Sequence, residues 1–145
     1  MSYQEKRTSI SLLSTILATA AYGVWLWQQY PDKSEYSESF FHFWGGAILI
    51  FIAVQVVFKL VFLIGFIIFT IREQDPEFTD EFDRVIEMKS TRRVYDIFMV
   101  GFVLAMIALV LKMPPDTMFI ILLAFMTGGG IIGDVLQLYY YRRGV

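Results

Sequence analysis

Residues 73–93, with the sequence EQDPEFTDEFDRVIEMKSTRR, form the one long polar stretch in a chain that is otherwise mostly apolar. Hydrophobic arms extend from this stretch on both sides. Of the 145 residues, 57% are hydrophobic and 17% are aromatic, and this composition is too apolar for an ordinary soluble domain. We therefore expect one integral membrane domain, residues 1–145, in which residues 73–93 are a polar hub between hydrophobic spans.

The hydrophobic arms divide into four predicted transmembrane helices, because a helix needs about 20 apolar residues to cross a bilayer. The predicted spans cover residues 9–27, 40–71, 94–111 and 117–138. The second would measure about 48 Å as one helix, which exceeds the roughly 30 Å hydrocarbon core. We expect it to tilt or project past the membrane. The short connection at residues 112–116 requires an antiparallel return, so the predicted fold is an all-α antiparallel four-transmembrane-helix bundle.

The hub contains its own helix signal. Thr79 is a suitable N-cap for a helix that begins at Asp80. Phe82, Val85 and Ile86 then form an apolar stripe, and charged residues occupy the remaining surface. This pattern predicts a short amphipathic cytoplasmic helix between spans 2 and 3, near the lipid headgroups.

Basic residues indicate the orientation of the spans, because cytoplasmic loops carry an excess of lysine and arginine. On the other side of the membrane the predicted spans leave only Lys33 and Lys112. The other nine basic residues outside the predicted spans lie in the N-terminal tail, in or directly before the hub, and at the C-terminus: Lys6, Arg7, Arg72, Arg84, Lys89, Arg92, Arg93, Arg142 and Arg143. Both termini and the hub are therefore expected to be cytoplasmic.

Three short motifs resemble an uncharacterised family of small bacterial membrane proteins with four transmembrane helices. They are the N-terminal YQEKRT, the hub sequence DEFDRVIE with a basic pair after it, and the terminal YYRRG. The family has a D-E-x-D-x-x-I-E motif before its third helix, in which arginine is common where this chain has Phe82. The resemblance implies a four-span fold in a bacterial plasma (inner) membrane, and a cytoplasmic regulatory protein as partner. It implies no activity.

Ionisable groups within a predicted span need a specific reason, since each costs at least about 2.5 kcal/mol on insertion scales. Lys59 and Asp134 fall at similar depth in the cytoplasmic half, which predicts an intramembrane ion pair between them. Gln55 and Gln137 lie one turn away as supporting polar residues. The pair could hold two helices together or could couple the movement of a proton or substrate. Asp96, one turn after a basic pair, is better explained by a capping or interfacial salt bridge.

A stripe of small and hydroxyl residues runs along the first span: Ser11, Ser14, Thr15, Ala18 and Thr19. Small residues allow helices to approach closely in a membrane, so this face should pack against another helix. His42 belongs to an aromatic group at the opposite boundary, where an interfacial role explains it better than metal ligation. The chain has no cysteine and one histidine, and we expect no metal site, no cofactor and no catalytic residue.

Two classes of function remain. The first is a non-enzymatic scaffold or regulator whose acidic hub docks a cytoplasmic partner through Asp80, Glu81, Asp83, Arg84 and Glu87. The alternative is a small homo-oligomeric transporter or channel subunit that uses Lys59 and Asp134. Beyond the lipid bilayer, the expected partners are a second copy of the chain, giving a homodimer, and a soluble regulator. The mixed charge of the hub argues against direct nucleic-acid binding.

Overall fold

The computed structural model describes residues 3–30, 38–73 and 81–144, without the side chains of residues 38, 39, 72 and 73. Within these ranges the regular elements are four α-helices: α1, Tyr3–Gln29; α2, Glu38–Glu73; α3, Glu81–Val110; and α4, Pro115–Arg143. Each helix is long and apolar enough to cross a bilayer. The chain is therefore an all-α, multi-pass membrane protein.

All four helices are longer than the spans predicted from hydrophobicity. The first extends to Tyr3–Gln29, because its polar ends continue the helix beyond the apolar core. The second, Glu38–Glu73, contains the whole predicted segment 40–71 as one helix of 36 residues. Hydrophobicity reports only the part of a helix that suits lipid, whereas helix ends depend on local backbone preferences.

The hub does not form a separate short helix in the described residues. Its residues 81–93 are the first turns of α3, which continues without a break to Val110. No glycine or proline occurs between Glu81 and Gly101, so nothing in the local sequence interrupts the helix. Thr79 and Asp80, the predicted start of the helix, lie outside the described residues.

The packing order of the helices differs from their order in the chain. Helix α1 packs against both α2 and α4, and α4 also packs against α3. The start of α1 lies beside the end of α2, where the Tyr3 and Phe66 ring centroids are 5.1 Å apart. Near the other end of α1, the Tyr22 hydroxyl donates to the Ala47 carbonyl at 2.9 Å. Helices α1 and α4 thus occupy the centre of the assembly.

Small residues allow the close contact between α3 and α4. A Cβ atom at Gly133 would overlap the side chain of Val94, and one at Gly101 would overlap Phe125. On the α3 side, Ala105 is buried as well. Since lipid supplies little hydrophobic force between helices, close approach of this kind is the main source of attraction.

An aromatic cluster joins the end of α1 to the starts of α2 and α4. Trp44 is fully buried at its centre and stacks on Phe119, with ring centroids 5.2 Å apart. Its Nε1–H donates to Asp116 Oδ1 at 2.9 Å. Burial raises the pKa of Tyr30, and a hydrogen bond with Asp116 and the charge of that carboxylate raise it further. This cluster fixes one end of the helix assembly, and His42 remains exposed beside it.

The turn between α3 and α4 is a Schellman motif. Lys112 adopts a left-handed conformation with φ of 57°, and its N–H donates to the Leu109 carbonyl at 3.0 Å. The next N–H, of Met113, donates to the Ala108 carbonyl at 3.1 Å. Pro115 then begins α4 at a position where its missing N–H costs nothing.

Candidate functional site

Asp134 is the centre of a polar site between α1 and α4. Its Oδ2 accepts hydrogen bonds from Ser11 Oγ at 3.2 Å and from Thr15 Oγ1 at 3.4 Å. The Thr15 hydroxyl is also 3.0 Å from the Ser11 carbonyl, so its proton is shared between an intrahelical and an interhelical acceptor. Two hydroxyl groups of α1 therefore hold one carboxylate of α4.

Lys59 lies in the same region but does not form the predicted direct ion pair. The structure gives Lys59 a Coulomb interaction with Asp134, and the ammonium does not come within the 4.0 Å expected of a salt bridge. Helix α2, which carries Lys59, packs mainly against α1, whereas α4, which carries Asp134, packs against both α1 and α3. The hydroxyl groups of α1 are consequently the nearest partners of the carboxylate.

The supporting polar residues make contacts with other groups. Gln55 Nε2 donates to Thr19 Oγ1 at 3.1 Å, which joins α2 to α1. Gln137 interacts with the Tyr141 hydroxyl, one turn further along α4. Asp96 lies 3.8 Å from Arg93 in an exposed pair on α3, and such pairs contribute little to stability. Among the described residues, the hydrogen bonds to Asp134 come from Ser11 and Thr15 and not from either glutamine.

The hydroxyl stripe of α1 packs between helices as predicted. Ser14, Thr15 and Ala18 are buried, and the stripe donates to α4 through Ser11 and Thr15 and accepts from α2 at Thr19. The sequence contained the signal for these partners, because a four-residue repeat of hydroxyl groups on one face can meet a carboxylate on a neighbouring helix. The pattern did not indicate which helix would supply it.

A cavity of about 170 Å³ lies between α1 and α2 beside this site. Its polar lining comes from Arg7, Ser11, Ser14 and Lys59, and apolar side chains complete it. In the sequence, Arg7 is one of the basic residues that indicate the orientation of the spans, and no binding role was predicted for it. Its position one turn before Ser11, on the stripe that faces α2 and α4, was the available signal.

The described part of the hub presents its charges on the first turns of α3. Glu81, Arg84 and Glu87 are exposed, whereas Asp83 is half-buried and interacts with the Tyr141 hydroxyl near the end of α4. On the opposite face of the helix, Ile86 is fully buried. Asp80, the remaining residue of the predicted docking set, lies outside the described residues. The described residues 81–93 of the hub are therefore held against the helix assembly, while part of their charge faces outward.

The described residues contain no cluster of three or more histidine, aspartate or glutamate side chains that could hold a metal ion. The candidate sites in the described residues are Asp134 with its hydroxyl partners, the neighbouring cavity and the charged start of α3. Comparisons with protein-family models, with curated proteins and with solved structures gave no match.

Proposed function

We propose that the protein is a non-enzymatic membrane scaffold or regulator that docks a cytoplasmic partner through the hub. The observation that carries this proposal is that the start of α3 has charged side chains on its exposed face, while its other face is packed against the helix assembly. Ile86 and Ser90 are buried on one face of α3, while Glu81, Arg84 and Glu87 are exposed. A surface that is already ordered loses little conformational entropy when a partner binds.

The length of α3 supports placing this surface outside the bilayer. The helix has 30 residues, or about 45 Å, of which the apolar part, residues 94–110, accounts for about 25 Å. The remaining 13 residues extend the helix by about 20 Å. This extension is long enough to present three to four turns to a soluble protein.

The charge pattern suggests the chemistry of the partner. The D-E-x-D-x-x-I-E motif supplies carboxylates at Asp80, Glu81, Asp83 and Glu87, with Arg84 among them. A basic protein surface would complement these groups and would be steered toward them. Small DNA-binding regulators carry such surfaces, so the partner we propose is a soluble regulator of this kind, and the membrane protein itself needs no nucleic-acid contact.

The test is recovery of the partner after mild cross-linking of the tagged protein at native expression. The double variant Glu81→Lys with Glu87→Lys should lose the partner, because both side chains are exposed and neither substitution disturbs Asp83. Arg84→Glu should retain or increase recovery, since it adds negative charge. Lys6→Glu, at another exposed position, is the matched control. Equal recovery from the double variant and the wild type would contradict the proposal.

We also propose that the four helices form an antiparallel bundle in a bacterial plasma membrane, with both termini cytoplasmic. Three contacts support the arrangement. The start of α1 lies beside the end of α2 at Tyr3 and Phe66. Ser11 of α1 meets Asp134 near the end of α4. Gly133 of α4 meets Val94 of α3. The distribution of basic residues supports the orientation.

A homodimer is the assembly that we propose. The observation that supports a dimer is the exposed apolar surface of α2. In the second half of this helix, Val61 is 61% exposed and Ile71 is 73% exposed. Along α2, Ile71 is about 40 Å from Trp44, further than the roughly 30 Å hydrocarbon core. A second copy of the chain would cover the apolar surface of α2 that extends beyond the hydrocarbon core. Mass measurement in native-like lipid should give dimers, and exclusive recovery of monomers would contradict this.

The second candidate function is a small homo-oligomeric transporter or channel subunit. It is favoured by Lys59, which lines the cavity, and by Asp134, which accepts a hydrogen bond from Ser11 of the same lining, since ionisable groups within a membrane often mark ion paths. Flux measured in proteoliposomes should then change in Asp134→Asn. Absence of flux for every ion tested would count against this class and leave the scaffold proposal unaffected.

A further inference from the structure

The cavity between α1 and α2 combines two cations with an apolar wall. Arg7 and Lys59 line it together with Ile10, Phe62, Leu63 and Phe66. Both cations are exposed, and within the described residues neither has a carboxylate within 4.0 Å. This combination suits a phospholipid, because the cations can bind its anionic headgroup and the apolar side chains can contact its acyl chains.

The depth of the two cations places them near one membrane boundary. Arg7 is 20 residues, or about 30 Å, along α1 from Trp27, and Trp27 is 87% exposed, as expected of an interfacial tryptophan. This distance equals the thickness of the hydrocarbon core, so Arg7 lies at the opposite boundary of the core. Lys59 is about 22 Å along α2 from Trp44, and its long side chain can extend toward the headgroups on the Arg7 side.

The hydroxyl groups in the cavity are already used as donors. Ser11 Oγ donates to Asp134, and Ser14 Oγ donates to the Ser11 carbonyl at 2.8 Å. The contacts to an anion must therefore come from Arg7 and Lys59. Of the two cations, we expect the guanidinium of Arg7 to be the principal donor. A guanidinium binds two phosphate oxygens with matched geometry.

We propose that this cavity binds the phosphate headgroup of an anionic phospholipid, with the acyl chains lying along α2. The volume supports a headgroup rather than a larger ligand: about 170 Å³ is well below the range of roughly 300–1,000 Å³ that is typical for drug-sized ligands. Basic pockets between transmembrane helices near the cytoplasmic leaflet are suited to such headgroups. The proposal does not depend on docking at the hub.

Native mass spectrometry of the full chain in detergent, titrated with phosphatidylglycerol or phosphatidylcholine, tests the proposal. The wild type should prefer phosphatidylglycerol, and both Arg7→Gln and Lys59→Gln should weaken that preference by roughly fivefold each. Lys6→Gln is the matched control, because Lys6 is an exposed neighbouring cation that does not line the cavity. It should keep the wild-type preference.

Three further results separate the possible outcomes. The double variant Arg7→Lys with Lys59→Arg keeps both positive charges and should still bind phosphatidylglycerol. Binding by this variant would show that the weaker preference of the two glutamine variants comes from the missing charge rather than from misfolding. Excess inorganic phosphate should compete poorly, because it lacks the acyl chains; full competition would indicate a site for free phosphate and overturn the proposal. A wild type without preference for the anionic lipid, or an equal loss in Lys6→Gln, would also overturn it.

Discussion

The Ser11 and Thr15 hydroxyls of α1 donate to a single oxygen of Asp134 on α4. Hydrogen bonds between transmembrane helices contribute about 0.6 kcal/mol on average, because the unfolded chain in the membrane also finds partners. The site should therefore stabilise the contact between α1 and α4 modestly. Its larger effect is on specificity, since a slip of one residue along either helix would separate the carboxylate from both hydroxyls.

A double-mutant cycle measures this interaction. Ser11→Ala and Asp134→Asn should each destabilise the protein, and the double variant should show a coupling of about 0.6 kcal/mol. The measurement is reversible unfolding in mixed micelles. Ser9→Ala paired with Asp134→Asn is the control, because the Ser9 hydroxyl donates to the Glu5 carbonyl of its own helix. Equal coupling in the two cycles would mean that the Ser11 contact has no special role.

Lys112 provides a second prediction at the level of a single residue. Its φ of 57° is unfavourable for any residue with a Cβ atom, and glycine is the usual residue at this position of a Schellman motif. Lys112→Gly should therefore stabilise the protein by about 0.5–1 kcal/mol, seen as a higher thermal midpoint. Lys112→Ala keeps the Cβ atom and should give no gain. An equal increase in stability in both variants would mean that loss of the lysine charge, and not loss of the Cβ atom, is responsible.

At the scale of the helices, the four glycines of α4 near its centre differ in what surrounds them. A Cβ at Gly133 would overlap Val94, and one at Gly129 would lie 3.6 Å from Ile97. A Cβ at Gly130 would lie 3.9 Å from Thr15 of α1, and one at Gly128 would meet nothing within 4 Å. The glycines therefore serve two interfaces, with α3 on one face and α1 on the next.

Matched alanine substitutions test this assignment. Gly133→Ala should destabilise the protein by about 1–3 kcal/mol, because Val94 must move to accommodate the methyl group. Gly128→Ala, five residues away in the same helix, should be neutral or stabilising, since alanine favours helix and the methyl group has space. Unfolding measurements on the two variants are compared directly. Equal destabilisation would contradict the packing of α3 against α4.

The sequence predicted which segments form helices better than it predicted which helices pack against each other. Hydrophobicity located all four helices, because lipid requires a long apolar segment for each span. It did not predict that residues 81–93 continue into α3, since their charges end the hydrophobic signal while their backbone preferences still favour helix. The pairing of Lys59 with Asp134 was predicted from equal depth, and depth alone does not show that α2 packs mainly against α1 while α4 packs against α1 and α3. Three-dimensional packing order decides which side chains meet.

For the whole molecule, the described contacts connect the proposed cytoplasmic hub to the helix assembly. Asp83, in the first turn of α3, interacts with Tyr141 in the last turns of α4. Two turns earlier, α4 also carries Asp134, which accepts hydrogen bonds from Ser11 and Thr15 of α1. A partner that binds the start of α3 would therefore act on a helix that also holds α1. This arrangement suits a protein that links a soluble regulator to the membrane.

We propose that the start of α3 and both termini lie on the same side of the membrane. The chain has no cysteine, so a single introduced cysteine gives a labelling signal without background. We would label Lys6→Cys, Glu87→Cys, Arg142→Cys and Lys112→Cys with an impermeant maleimide in membrane vesicles of known sidedness. We expect positions 6, 87 and 142 to react from the cytoplasmic side and position 112 to react from the opposite side. Reaction of positions 87 and 112 from the same side would contradict it.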